Sequence, residues 1–165
     1  MTQSAKAPAP VQSLLWEGLF DKPVAVQFTA ERQTDNAGLL LPAAVDRQWG
    51  LTARIAAGLR DRRDPELIVH TMADLLRQRT YGLLAGFADA NDAARLKNDP
   101  TFRLLVGRSL EDDEEALASQ PTFSRFENAI GMGALMRWAH VLADAVLERQ
   151  RERRKKVRRI TLDVD

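Results

Sequence analysis

Three groups of side chains have the types and spacing that chemistry could use. From Ile160 the residues alternate, so a strand would place Ile160, Leu162 and Val164 on one face and Thr161, Asp163 and Asp165 on the other. That sets the two carboxylates about 6 to 7 Å apart, a repulsive pair that calls for a cation, a basic neighbour or open solvent. The second group is a basic run: Arg149, Arg151, Arg153, Arg154, Lys155, Lys156, Arg158 and Arg159. Against four carboxylates it gives residues 148–165 a local charge of +4, within a chain whose net charge is +1. A positive end on a mildly acidic body is a candidate polyanion site; the plainer alternative is a solvated helix end whose cations favour the carboxyl-terminal dipole. The third group is His70 and Asp74, four residues apart on one helix face and so half of a metal or acid–base pair. With no second histidine in register, a structural role is the expectation, as it is for His140 between Trp138 and Val141.

Other chemistries find no support. Cysteine is absent, which removes disulfides, thiolate nucleophiles and thiolate metal ligands and fits a cytoplasmic setting. The glycines form no phosphate-binding loop and the serines lack a nucleophile elbow. The aromatics, among them Trp16, Trp49, Tyr81, Phe102 and Trp138, are scattered at core-like positions and suggest no base-stacking platform. No stretch has the length of a membrane span, so no membrane partner is expected.

The elements that must position these groups are mostly helical. Residues 1–12 are expected to be a disordered tail, and alternation from Val24 to Ala30 predicts a strand. Residues 39–49 read as a short helix closed by Gly50, with Thr52 capping another to about Arg60. Asp64-Pro65 has the cap-plus-proline signature of a long helix carrying Ile68, Met72, Leu75, Leu76 and Leu83. Short helices are expected at 93–97 and, after Asp99-Pro100, at 101–106. Ser124 and Glu127 have capping-box spacing and predict the start of a long helix. In it Gly131 and Gly133 mark a kink or close crossing, and Trp138, Val141, Leu142 and Ala145 form a buried stripe. At 165 residues and 45% hydrophobic, one core is affordable in size, giving a single mainly α domain over 13–157 with 158–165 as a strand.

An ordered set of motifs resembles a family. Thr34-Asp35-Asn36-Ala37-Gly38, Leu59-Arg60-Asp61-Arg62-Arg63-Asp64-Pro65, Leu75-Leu76-Arg77-Gln78-Arg79, Ala88-Asp89-Ala90-Asn91-Asp92, Asn98-Asp99-Pro100, Leu117-Ala118-Ser119-Gln120-Pro121 and Ile160-Thr161-Leu162-Asp163 occur in that order. Together they resemble the amino-terminal region of bacterial insertion-sequence transposases of DDE group 1, the insertion-sequence 1380 family. The resemblance implies a ribonuclease H-like catalytic domain in which two aspartates and a glutamate hold two Mg²⁺ ions for strand cleavage and transfer. The position matching the first catalytic and metal-binding aspartate is Asp163, with Asp165 as the second choice, and residues 158–165 would be the first strand of that domain. The other two carboxylates have no counterpart here, so the chain is expected to be an incomplete, inactive amino-terminal portion. Its expected partners are transposon-end DNA, held by the basic run, and a second subunit; base reading would come from around Arg77 to Arg79 or Arg95 to Lys97. A helical assembly module without DNA binding, or a small nucleic-acid-binding regulator, are the alternatives.

Overall fold

The computed structural model describes residues 33–110 and 116–153, together with the backbone of two short strands, and shows a mainly helical protein. The strands, β1 (Gln12–Ser13) and β2 (Ala25–Val26), pair antiparallel, with Gln12 opposite Val26. The rest of the expected 24–30 strand, the tail at 1–11 and all of 158–165 lie outside the described residues.

Helix α1 (Leu40–Trp49) follows a 3-10 turn and stops at Gly50, whose φ of 63° is the left-handed conformation that a glycine adopts without strain. Helix α2 (Leu51–Ala57) starts at once on the other side of Gly50. Thr52 is therefore not the cap expected for α2, which also ends sooner than expected. Its backbone N–H and hydroxyl instead donate to Asp46, tying the α1–α2 corner. Tyr81 donates its hydroxyl to the same Asp46 at 3.0 Å, and burial with this charged neighbour drives the Tyr81 pKa well above the ordinary value.

The Asp64-Pro65 signature opens only a 3-10 turn at Pro65–Leu67, because the backbone turns extended at Ile68. Helix α3 (Met72–Leu84) begins four residues later at a complete capping box: Thr71 accepts from the Asp74 N–H at 3.1 Å while Asp74 accepts from the Thr71 N–H at 3.0 Å. Reciprocal satisfaction of two helix-end donors outcompetes a lone cap with proline. Helices α4 (Ala93–Leu96) and α5 (Pro100–Val106) lie where expected, and Asp99 caps α5 through the Phe102 N–H.

Helix α6 (Gln120–Ala129) starts earlier than the Ser124–Glu127 spacing suggests, at Ser119 with Pro121 in the first turn. Proline is pre-set for that turn, and its lack of an N–H costs nothing there. The chain turns by 87° before α7 (Met132–Arg153), so the anticipated kink is a full break; the Gly131 carbonyl accepts the first α7 amides.

Helix α3 is the spine. Tyr81 joins Leu39, Leu40, Leu96, Leu105 and the fully buried Phe102 in one cluster; Leu75 and Leu76 join Ala56, Phe123 and Phe126 in the other. Trp138 packs against the second cluster from α7, where Ala134 and Ala145 are also buried. Leu142 departs from the expected buried stripe: it is exposed, because the face of α7 turned towards the other helices is the one carrying Ala134, Trp138 and Ala145.

Candidate nucleic-acid interface

The basic run begins on the last turns of α7, beside the α1–α2 corner. Arg54 of α2 clasps Glu148 with both guanidinium nitrogens, at 2.7 and 3.1 Å, which fixes the approach of α7 to α2. That hydrogen-bonded pairing raises the Arg54 pKa and lowers that of Glu148. One residue on, Arg149 is half-buried: its guanidinium stands over the Trp49 ring at 5.8 Å from the centroid and reaches Glu152 at 2.8 Å. A cation held by a ring and a carboxylate has already exchanged much of its water. Arg149 therefore anchors the helix end rather than offering a free charge.

Arg151 and Arg153 are exposed. Two positions apart on a helix they project about 200° from one another, so one straight backbone cannot lie flat against both. Arg153 is one turn beyond Arg149, on the Trp49 side. Arg154, Lys155, Lys156, Arg158 and Arg159 lie outside the described residues, as do Asp163 and Asp165. Among the described residues no group of three or more His, Asp or Glu side chains could hold a metal ion.

The helices considered for base reading differ in character. Arg77 donates to the Thr52 hydroxyl at 3.2 Å; Gln78, buried, exchanges two hydrogen bonds with the Ala118 backbone; and Arg79 is spent on Glu127 and the carbonyls of Phe87 and Ala88. That triplet is internal bracing. Arg95 and Lys97 are exposed, although Arg95 also lies 5.8 Å from the Phe87 ring and 3.9 Å from Asp92. His70 accepts from Arg108 at its Nδ1, 3.1 Å away, and Asp74 serves the capping box, so this pair is structural as expected; His140 is exposed on α7 rather than packed.

The family-like motifs are also joints. Asp99 of Asn98-Asp99-Pro100 accepts from Thr34 Oγ1 at 2.8 Å and Asn36 Nδ2 at 2.9 Å, joining the first motif to the fifth across more than 60 residues. A family model described as Transposase DDE domain group 1 matches residues 17–165. The chain belongs to this family. Membership assigns a role in transposition, with DNA as the substrate of the family's chemistry and a divalent metal normally required for it. No curated protein and no solved structure gives a significant match. Among the described residues, no single helix is long and apolar enough to cross a membrane.

Sequence reading passed over Trp49 and Arg54. Trp49 looked like one more core aromatic, and nothing in the local pattern of α1 announces an arginine 100 residues away. The signal available was compositional: a tryptophan placed immediately before the helix-ending Gly50, where its ring is free to serve a neighbouring element.

Proposed function

We propose that this chain is the helical DNA-gripping region of a DDE transposase of the insertion-sequence 1380 kind, acting in the bacterial cytoplasm on transposon ends. The observation that carries this reading is the position of the basic run. The family match spans it, and it begins at a helix end placed beside α1 and α2 by the Arg54–Glu148 and Arg149–Trp49 contacts. A braced helix end presents its exposed Arg151 and Arg153 to phosphates at little cost in ordering. Base reading then falls to the exposed Arg95 and Lys97 rather than to the internally bonded Arg77 and Arg79. Asp163 would be the first metal-binding carboxylate, as the family resemblance implies, with Asp165 beside it.

A salt titration of duplex binding tests the reading. Affinity should fall linearly on logarithmic axes, by about 0.9 in slope for each neutralised phosphate. Replacing Arg153, Arg154, Lys155 and Lys156 by glutamine should flatten the slope and weaken transposon-end and random duplexes alike, since phosphate contacts position without reading sequence. Unchanged affinity and slope would leave the run as a solvated helix end and favour a helical assembly module.

A further inference from the structure

The last two turns of α7 have no buried side chain. Ala145 is the final buried residue of the helix; from Val146 to Arg153 every residue is exposed except Arg149, which is half-buried. A helix end without apolar burial frays, because each residue there fixes its backbone for one hydrogen bond and little else. Among the described residues, two side-chain contacts from outside the helix hold this end: Arg54 on Glu148, and the Trp49 ring beneath Arg149.

The two contacts differ in kind. The side chains of the Arg54–Glu148 pair are 36% and 55% exposed, so solvent and salt weaken it. In Arg149 the Nε is shut off from water with no hydrogen-bond partner, while the guanidinium stands 5.8 Å from the Trp49 ring centroid and reaches Glu152 at 2.8 Å. A guanidinium nitrogen deprived of water and of a hydrogen bond is costly, and the π face beside it offsets that cost. Trp49 belongs to neither apolar cluster among the described residues. Gly50 ends α1 directly after it, which leaves the ring at the α1–α2 corner.

We propose that Trp49 is a positioning residue for the phosphate-binding end of α7. By seating Arg149 it keeps residues 146–153 helical beside the α1–α2 corner, so that Arg151 and Arg153 are held where phosphates meet them, while Arg149 itself touches no phosphate. This role rests on the DNA-binding reading above. Positioning and contact leave different marks. Removing a phosphate contact removes a released counterion, and with it about 0.9 of logarithmic salt slope on duplex DNA. Removing the seat leaves every contacting cation in place; the helix end must then be ordered as DNA binds, which lowers affinity at an unchanged slope.

The test uses the whole chain. Trp49→Ala, which alters no charge, should weaken duplex binding about tenfold at an unchanged salt slope, and Trp49→Phe, which keeps a ring, should restore most of the affinity. Arg149→Gln should weaken binding to a similar extent, again at an unchanged slope, whereas Arg151→Gln combined with Arg153→Gln should lower the slope by about 1.8. A measurement without DNA separates the seat from the DNA reading. Because the chain has no cysteine, a nitroxide on the exposed Gln150→Cys reports this helix end alone. Its motion should quicken in Trp49→Ala and in Arg149→Gln but not in Trp49→Phe, with the circular dichroism close to that of the parent. Arg149→Gln, on the surface, keeps the test intact if Trp49→Ala loosens the corner more widely. A label as ordered in both variants as in the parent, no rescue by Trp49→Phe, or a slope lowered by about 0.9 in Arg149→Gln would each overturn the role of Trp49 and leave DNA binding in place. A parent chain that binds no duplex would overturn the DNA reading, and this role with it.

Discussion

Asp99 shows how one side chain can hold distant segments. It caps α5 through the Phe102 N–H and takes hydrogen bonds from Thr34 and Asn36, so the segment preceding α1 is tied to the start of α5. Asp99→Ala removes a helix cap and strands two polar partners, and is expected to cost about 2 to 3 kcal/mol in urea unfolding. His70 gives a second residue-scale outcome. Burial first, then the nearby Arg108 charge, lower its pKa below 6.5; Asp74 opposes them, and Arg63 adds a smaller lowering. The folded state therefore binds a proton less readily than the unfolded one. Its contribution is present above pH 6.5 and is lost as the pH falls from there through the lower folded value. Stability measured by denaturant midpoint should decline on acidification in this window, and His70→Gln should remove that part of the decline; an unchanged slope would show that other groups carry it.

Among the elements, α3 is central because its two ends serve different clusters and its middle is braced by Gln78 to Ala118. Hydrogen exchange should separate the true helix from the turn before it. Amides from about 75 to 84 should exchange slowly, while those at 65–70, exposed or held in a single 3-10 turn, should exchange fast. Equal protection across 65–84 would mean the helix continues back to Pro65. The right-angled break between α6 and α7 has a plainer cause: Ile130 is extended, and Gly131 restarts the ladder.

For the whole molecule, the charge distribution matters more than the total. The described part of α7 passes from an uncharged outer face to an arginine-bearing end, so one helix carries both the apolar surface and the start of the basic run. Two-metal cleavage needs carboxylates from several elements, and on the proposed reading Asp163 supplies the first of them. Any Mg²⁺- or Mn²⁺-dependent nicking of transposon-end DNA should therefore vanish on Asp163→Ala; nicking that survived the substitution would reject that assignment.

Local signals determined much of this protein. The family motifs, the Asp99-Pro100 helix start, the Gly50 stop, the mainly helical class and the basic run are legible because each is written within a few neighbouring residues by capping, backbone freedom or charge. Tertiary structure decided the rest. Whether Asp64-Pro65 or Thr71 starts α3 depended on where two backbone donors are satisfied reciprocally, and Thr52 served Asp46 rather than its own helix end. The apolar stripe of α7 could be read from spacing, but not which side of it was already covered, because Leu142 and Trp138 are equally apolar in sequence. That Arg149 lies on Trp49, and that Arg79 is consumed by Glu127, are contacts across roughly 50 to 100 residues, and only packing brings such partners together.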